Sequence, residues 1–422
     1  MSLTTDAPSI TDEDAGRPEP GTGGMLRSMQ VYPAFRQLML GTLASSSAFW
    51  MYQVAVGWLA LQMTDSPFFV GMAGFAGGIP LLVVSLPAGV IIDRYDRRVI
   101  LMLAQAGVLA VSALFALMVG AQVIRPWSML VLVTIYGTVM SFIFPTRTAI
   151  VPALVERHDL ANAIALNAAA QNATRVIGPS LAGIMLGLLG VPATFALAAL
   201  LQAFALMATA QLPPVAAEAS GRGSTVWASL ATGLRVVGSS PLLIALIVLA
   251  LAPTVLVMPY INLMPVFARD VLDLGSSGLG ILLASTGLGT VAGSLFVARA
   301  GRGTTMRGGQ LISAAAFALC VMAFALVSHV AAAVALLFVA GAMSAAFLAL
   351  NQTVLQLSVA DDVRGRVISL YMLTWGMLPF GQLAVGALAN AIGAPAAIVI
   401  ACGAALVCVG VIARRFPSLR GS

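Results

Sequence analysis

Charged side chains gather in one ten-residue stretch, residues 89–98, which reads GVIIDRYDRR. Three arginines and two aspartates fall within six of these positions, between the long apolar runs 68–92 and 99–122. A charge in hydrocarbon costs about 3 kcal/mol, so this stretch must be a turn that faces water. Arginine is enriched in the cytoplasmic loops of membrane proteins, which places the turn on that side. The chemistry that such residues can supply is charge pairing.

Asp93 ends the first of the two flanking helices, where an acid is unfavourable beside the negative helix C-terminus. We therefore expect Asp93 to pair with an arginine or with the positive N-terminus of a neighbouring helix. Gly89, one turn earlier, would let that neighbour approach closely. The alternative is a solvated basic turn that only sets the topology.

A second polar set lies inside the apolar run 163–189. Asn167, Gln171 and Arg175 are spaced by four and share one helix face. Arg175 lies about twelve residues, or ~18 Å, from the helix start and hence near the membrane midplane. A midplane arginine is a candidate functional residue. The alternative is a structural arginine satisfied by neighbouring carbonyls and amides.

Gly178, Pro179 and Gly183 follow on the same predicted helix. Proline removes a backbone hydrogen bond and glycine permits close packing, a combination that is expected where two packed elements move against each other. We predict that this part of the helix lies at such a seam.

The composition defines the class of protein that positions these residues. The chain has 422 residues, of which 60% are hydrophobic and 9% charged, whereas a soluble domain carries roughly 25% charged residues. Twelve apolar runs are long enough to cross the membrane. We predict an all-α membrane protein with twelve transmembrane helices in two six-helix bundles. Clustered His, Cys or carboxylate side chains are missing from the apolar runs, which argues against an enzyme and a metal site.

The arginines set the expected topology. With both termini in the cytoplasm, only Arg125 and Arg269 fall in outer loops, and the net charge of +6 reflects basic cytoplasmic loops and not nucleic-acid binding. The predicted units are a disordered cytoplasmic tail (1–34), a first bundle (35–212), a cytoplasmic linker (213–240), a second bundle (241–415) and a cytoplasmic tail (416–422).

The two predicted bundles resemble each other in sequence. Gly178, Gly183, Gly190 and Pro192 recur about two hundred residues later as Gly381, Gly386, Gly393 and Pro395, and Asp159 recurs as Asp362. At an offset one residue longer, Gly71, Gly74 and Gly89 recur as Gly275, Gly278 and Gly293. A parallel repeat of six helices is typical of one large transporter architecture.

The charged turn carries a family resemblance. Gly89, Asp93, Arg94, Arg97 and Arg98 match the loop 2–3 signature of the major facilitator superfamily, G-x-x-x-D-R-x-G-R-R, with Asp96 in place of its second glycine. The resemblance implies that Asp93 contacts the start of helix 11, here Asp361 and Asp362, and holds the cytoplasmic side closed. The repeat at 293–302 lacks the aspartate, so we expect a latch in the first copy alone.

Arg147, in the segment 144–155, is a further gate candidate. It either extends to the cytoplasmic interface or lies near Asp93 or Glu156 as part of the same gate.

Residues 174–183, in the fifth predicted helix, resemble the antiporter motif of exporters, G-x-x-x-G-P-x-x-G-G, with Thr174 and Ala182 replacing two glycines. Together with the segments 144–155, 351–353 and 364–367, they resemble the branch that contains the enterobactin exporter and drug:proton antiporters. This implies export and proton antiport. The residues themselves do not identify a proton carrier, because every Asp and Glu of the bundles falls near a membrane boundary.

By family analogy, helices 1, 4, 7 and 10 line a substrate cavity at the midplane. Any one candidate residue could instead be packing. The candidates are Ser46, Trp50, Gln53, Tyr136, Met140, Tyr260, Asn262, Met343, Phe347 and Asn351. A cavity of aromatic, Met and amide side chains suits bulky amphipathic or neutral molecules.

We therefore expect a monomeric, multi-pass transporter of the bacterial inner membrane that exports drug-like or siderophore-like small molecules by alternating access. It needs no cofactor, and a proton gradient would drive it. Its partners are the small-molecule substrate and the lipid bilayer. The alternatives are an importer or facilitator of a neutral nutrient, and a non-transporting membrane sensor.

Overall fold

The computed structural model describes residues 26–216, 233–300 and 305–419, apart from the side chains of Leu86, Ala300, 305–307, Asp361, Asp362 and Ser418. These residues form helices and no strands. The first half contains α1 (Pro33–Thr64), α2 (Pro67–Ile92), α3 (Arg97–Gly120), α4 (Pro126–Leu154), and the two parts of Leu160–Ala210, which are α5 (160–189) and α6 (191–210). The second half contains α7 (Pro241–Val271), α8 (Gly275–Ala300), α9 (Thr305–Leu326), α10 (Val330–Leu357), α11 (361–392) and α12 (Ala394–Arg415).

Ten stretches of the described chain are long and apolar enough to cross a membrane. One of them, Leu160–Ala210, breaks at Gly190, where φ is 79°. Counting its two parts separately and adding the long helix α1 gives the twelve helices that the sequence predicts. We call the side of the bundle at which α1 begins and α12 ends the terminal face, and the other side the opposite face.

Local sequence explains where the helices begin and bend. Proline occupies the first residue of α1, α2, α4 and α7, where its missing N–H leaves no bond unmade. Helix α7 is interrupted by π-helical turns at Pro253–Val257 and Phe267–Val271. Helix α11 contains a 3-10 turn at Trp375–Met377, next to Pro379. Prolines in the helix interior displace the usual backbone hydrogen bonds and produce such irregular segments.

The two halves repeat each other in three dimensions. Gly190 and Gly393, matched in the sequence, both have positive φ (79° and 87°) and separate α5 from α6 and α11 from α12. Gly178 packs on α1 beside the Ser47 carbonyl, and its counterpart Gly381 packs on α7 beside the Val255 carbonyl. Helix pairs α2–α4 and α3–α4 correspond to α8–α10 and α9–α10. The predicted six-plus-six repeat is confirmed at these positions.

The predicted match of Gly71 to Gly275 is wrong. Gly71 lies in the second turn of α2, whereas Gly275 is the first residue of α8 and has φ of 64°. The equivalent of Gly71 is Gly280, because both form the contact of their helix with the other half. The loop before α2 spans residues 65–66 and the loop before α8 spans residues 272–274, so the two halves do not keep one constant offset.

Residues at the start of the chain are more ordered than the predicted tail 1–34. Arg27–Val31 form a short helix. The Arg27 Nε lies 3.4 Å from the Asp159 carboxylate, and the Ser28 Oγ donates to Asn162 at 2.7 Å. The Tyr32 hydroxyl also donates to Asp159, at 3.1 Å. These contacts bury Arg27 and Ser28 against the start of α5, so order begins before residue 35. Residues 1–25 and most of the predicted linker, 217–232, lie outside the described residues.

The halves contact each other through α2 with α11 and α5 with α8. Glycines lie at the closest points of both contacts. A Cβ at Gly183 would lie 2.5 Å from the Gly280 Cα, and one at Gly386 would lie 2.9 Å from the Gly71 Cα. We name these two glycine contacts the seam. Because no side chain separates the backbones there, the seam fixes the distance between the halves.

Gly183→Leu tests this seam. The added side chain meets the α8 backbone and cannot turn away, so we expect overpacking to cost about 1–3 kcal/mol and to lower the melting temperature of the purified protein. Gly410→Leu is the matched control, because Gly410 on α12 has no described atom within 4 Å of an added Cβ. Equal melting temperatures for the two variants would contradict close backbone packing at Gly183.

Candidate functional site

Two adjoining cavities lie where the halves meet. The aromatic cavity, of about 180 Å³, is enclosed by α1, α2, α4, α7 and α11. The arginine cavity, of about 120 Å³, is enclosed by α1, α5, α7 and α8. Gln53, Gly57 and Asn262 line both cavities. A molecule bound in one cavity is therefore within reach of the other.

Aromatic rings build one wall of the aromatic cavity. The Tyr52 and Tyr136 rings stack at 3.5 Å between centroids, joining α1 to α4. The Phe49 and Phe144 rings meet edge to face at 5.7 Å. Both pairs present flat apolar surface, against which a planar or apolar ligand can pack.

An amide pair lies on the other side of the aromatic cavity. The Gln382 Nε2 on α11 donates to the Asn262 Oδ1 on α7 at 3.2 Å. Gly74 on α2 admits this pair, because a Cβ there would overlap the Asn262 amide and lie 2.6 Å from the Gln382 Oε1. The pair therefore needs glycine on the facing helix, and it offers the cavity polar donors and acceptors.

Arg175 supplies the charge of the arginine cavity. Its guanidinium carbon lies 5.8 Å from the centre of the Trp50 ring, within the range of a cation–π contact. Thr286 and Thr290 of α8 line the same space. Exposure increases along the predicted polar face of α5: Asn167 is buried, Gln171 is half-buried, and Arg175 is open to the cavity. Pro179, one turn beyond Arg175, completes this wall.

The candidate cavity residues divide into two groups. Gln53, Tyr136, Met140 and Asn262 line the aromatic cavity, and Trp50, Gln53 and Asn262 line the arginine cavity. The remaining five line neither of these two cavities, and their place in a substrate cavity stays a prediction: Ser46, Tyr260, Met343, Phe347 and Asn351.

Helix α10 accounts for three of these five. Phe347 is buried in the core of the second half. Asn351 is buried and donates to the Leu246 carbonyl of α7 at 3.3 Å. The polar side chain of Asn351 is thus used to join two helices of one half. In this conformation α2, α5, α8 and α11 border the cavities together with α1, α4 and α7.

Sequence reasoning missed the cavity residues of α2, α8 and α11. The sequence does contain a signal for Gln382, because an amide side chain inside an apolar helix needs a polar partner. The glycines of α2 had a weaker signal, because glycine is frequent throughout the chain.

Arg147 lies where neither prediction placed it. Its side chain is 2% exposed, and its Nη1 donates to the Ser46 Oγ of α1 at 3.0 Å. It is not exposed to solvent, and among the described contacts it pairs with neither Asp93 nor Glu156. The Ser46 hydroxyl, inside the first half, offers an acceptor that the sequence pattern does not reveal.

The charged turn is fastened to the first half by its arginines. The Arg97 Nη1 donates to the Ala149 carbonyl at 3.0 Å, and the Arg98 Nη2 donates to the Ala210 carbonyl at 2.6 Å. Asp96 caps α3, because its Oδ1 accepts from the Arg98 and Val99 amides. The aspartate that replaces the family's glycine therefore has a structural role.

Asp93 is exposed and has no ion pair with a described residue. No described atom lies within 4 Å of a Cβ built at Gly89. Arg94 is exposed as well. The side chains of Asp361 and Asp362 lie outside the described part, so the predicted contact of Asp93 with the start of α11 stays a prediction.

The opposite face carries polar contacts between the halves. Arg269, at the end of α7, lies 2.8 Å from Asp65, at the end of α1, and its Nε lies 2.6 Å from Asp270. The Ser66 Oγ of α2 donates to the Asn390 Oδ1 of α11 at 2.9 Å. We name the Arg269–Asp65 and Ser66–Asn390 contacts the clamp. The sequence signal for Arg269 is that it is one of two arginines expected in outer loops.

Comparison with known proteins agrees with this architecture. Residues 29–420 match the family described as "Transmembrane secretion effector". The chain is 23% identical to the staphyloferrin A transporter of Staphylococcus aureus, over 82% of this chain and 86% of that one. It is 26% identical to the multidrug efflux pump Tap of Mycolicibacterium fortuitum, over 87% and 91% of the two chains. It is 28% identical to the enterobactin exporter EntS of Shigella boydii, over 92% of each.

Solved structures with the same fold include the nucleoside transporter NupG, with a TM-score of 0.72 and 14% identity, covering 91% of this chain and 99% of that one. A bacterial homologue of the human lysosomal transporter Spinster gives a TM-score of 0.73 at 14% identity, covering 92% and 98%. The family match, the relatives and the fold are all those of transporters and not of enzymes. The chain belongs to the transmembrane secretion effector family of the major facilitator superfamily.

Proposed function

We propose that this protein is a secondary active exporter that carries small amphipathic molecules, drug-like or siderophore-like, out of the cytoplasm by alternating access. Proton antiport would drive the cycle, and the terminal face would be the cytoplasmic one. The observation that carries the proposal is a pair of cavities between two repeated halves, closed by the clamp on the opposite face. On the terminal face, Gly89 and Asp93 have no partner from the other half among the described residues.

The named activities of the relatives support export. The multidrug efflux pump Tap and the enterobactin exporter EntS are both named for outward transport. The charge asymmetry of the loops supports a cytoplasmic terminal face in a bacterial inner membrane. In the conformation described here, the cavities would then receive molecules from the cytoplasmic side.

The geometry suggests how the cycle proceeds. Breaking the clamp would release the ends of α1, α2, α7 and α11 on the opposite face. The seam would separate together with the clamp, because Gly71 and Gly386 lie about one turn from Ser66 and Asn390 and no side chains interdigitate between the glycine backbones. Asp93 and Gly89 would then meet the start of α11 and hold the terminal face closed. The clamp and the latch would therefore stabilise alternate states.

Membrane orientation provides the test of direction. Everted vesicles that contain the protein should accumulate an amphipathic probe when a proton gradient is imposed, while right-side-out vesicles should not. Accumulation in right-side-out vesicles alone would indicate an importer. Movement in neither preparation, with any probe or gradient, would indicate a non-transporting sensor.

Asp93→Asn tests the latch. Loss of the charge removes the proposed contact that closes the terminal face, so export should fall by roughly tenfold or more, while the amount of protein in the membrane and its melting temperature stay unchanged. Asp273→Asn is the control, because Asp273 is an exposed aspartate whose φ of 49° asparagine also tolerates. Wild-type export by the Asp93 variant would refute the latch.

Arg269→Glu tests the clamp. The new carboxylate repels Asp65 and Asp270, so the opposite face should open more often. The Arg269–Asp65 pair is partly exposed, with side-chain exposures of 29% and 80%, and such pairs contribute about 1 kcal/mol or less. We therefore expect an increase of a few-fold in the rate at which a membrane-impermeant maleimide, added on the opposite face, labels Gln53→Cys.

That labelling experiment uses a background in which Cys320, Cys402 and Cys408 are replaced by alanine. Arg125→Glu is the control, because Arg125 is also at the opposite face but its described contacts are with Ser128 of its own helix. High salt should screen the clamp and reduce the difference between Arg269→Glu and the parent. An unchanged labelling rate in Arg269→Glu would show that the pair does not hold the face closed.

A further inference from the structure

We propose that Arg175 binds an anionic group of the transported molecule, so that the preferred substrates are amphipathic acids with an aromatic or apolar body. This inference rests on the proposed function, since it assigns a substrate class to the same pair of cavities. It assigns the acidic group to the arginine cavity and the body of the molecule to the aromatic cavity.

The charge of Arg175 has no counter-ion among the described side chains. Its contact is the Trp50 ring, and none of the residues that line either cavity is acidic. The carboxylates with described positions lie at helix ends and in loops, namely Asp65, Asp93, Asp96, Glu156, Asp159, Asp270 and Asp273. A cation open to a cavity inside an apolar bundle is therefore available for an anion from outside the protein.

The backbone around Arg175 fixes the position of the guanidinium. A Cβ at Gly287 of α8 would lie 2.6 Å from the Arg175 carbonyl oxygen, so the two helices touch at this level. One turn later, a Cβ at Gly178 would lie 2.5 Å from the Trp50 Cβ, so α5 also touches α1. Helix α5 is thus held on two sides, and the side chain of Arg175 extends into the space between them. A positioned guanidinium suits two-pronged recognition of a carboxylate.

Neutral polar groups surround this charge. Gln53 and Asn262 lie at the junction of the two cavities, and Thr286 and Thr290 lie on the α8 wall. Their amide and hydroxyl groups can donate to the remaining oxygens of a bound anion. A substrate ammonium in the same place would be repelled by Arg175 and would find no carboxylate on the cavity walls.

The aromatic cavity accommodates the other part of such a molecule. It begins at Gln53 and Asn262 and is walled by the stacked Tyr52 and Tyr136 rings and by Met140. An apolar body there would lie within reach of an acidic group at Arg175. The two cavities together therefore select for an apolar part and an acidic part in one molecule.

A matched set of three probes tests the inference with the full-length protein in detergent. The probes are 1-naphthaleneacetate, 1-naphthaleneacetamide and (1-naphthylmethyl)trimethylammonium, which share one ring system and differ in charge. Binding is measured by equilibrium dialysis, so the readout does not depend on transport. A hydrogen-bonded ion pair at Arg175 should give the acid roughly tenfold tighter binding than the amide, and the ammonium the weakest.

Two variants locate the effect. Arg175→Gln should remove the preference by weakening the acid and leaving the amide unchanged, whereas Arg175→Lys should keep part of it. Arg125→Gln, which removes an arginine at the opposite face, should bind all three probes as the wild type does. Melting temperatures identify any variant that has lost its fold. If Arg175→Gln is such a variant, Arg175→Lys decides: an acid preference smaller than that of the wild type supports the inference, and an acid preference equal to that of the wild type overturns it.

Equal binding of acid and amide by the wild type, or an acid preference that survives in a folded Arg175→Gln variant, would overturn the inference. The outcomes also separate this inference from the proposed function. Acid binding that depends on Arg175, without transport of any probe in vesicles, supports the anion site and contradicts export. Transport of the amide or ammonium without any acid preference supports export and contradicts the anion site.

Discussion

The two halves meet backbone to backbone, at Gly183 with Gly280 and at Gly71 with Gly386. The rest of the site depends on this close approach. It brings α5 to α8 and α2 to α11, and so encloses two cavities between helices that belong to different halves. Larger residues at these points would separate the halves and open the cavities to lipid. Glycine also leaves the contact smooth, because no side chains interdigitate across it.

Charge is distributed on this scaffold according to the cost of burying it. Arg97, Arg98 and Arg269 lie at the two faces: Arg97 and Arg98 donate to carbonyls that hold the charged turn against the first half, and Arg269 joins the halves. Two arginines lie deeper, and they differ in their surroundings. Arg147 is enclosed and bonded to Ser46 within the first half, which suits a structural role. Arg175 is open to a cavity between the halves, which suits a ligand.

Much of the fold follows from the sequence because it depends on local properties. Apolar length predicts the helices, and the repeated glycines predict the breaks at Gly190 and Gly393. Asp93 and Asp96 lie in the predicted turn for the same reason, whereas Arg97 and Arg98 already form the start of α3. The cavity is harder to predict, because a helix can rotate about its axis without changing its sequence pattern. Phe347 and Asn351 of α10 therefore turned inward to their own half, and Gln382 of α11 reached the cavity instead.

The central claim is that the halves must separate on the opposite face during each cycle. A disulfide across the clamp tests it most directly, with Ser66→Cys and Asn390→Cys in a background whose three native cysteines are alanine; the parent side chains approach to 2.9 Å. Oxidation should stop transport in proteoliposomes, a reductant should restore it, and each single variant should be unaffected by either treatment. Full transport by the oxidised, cross-linked protein would contradict the account.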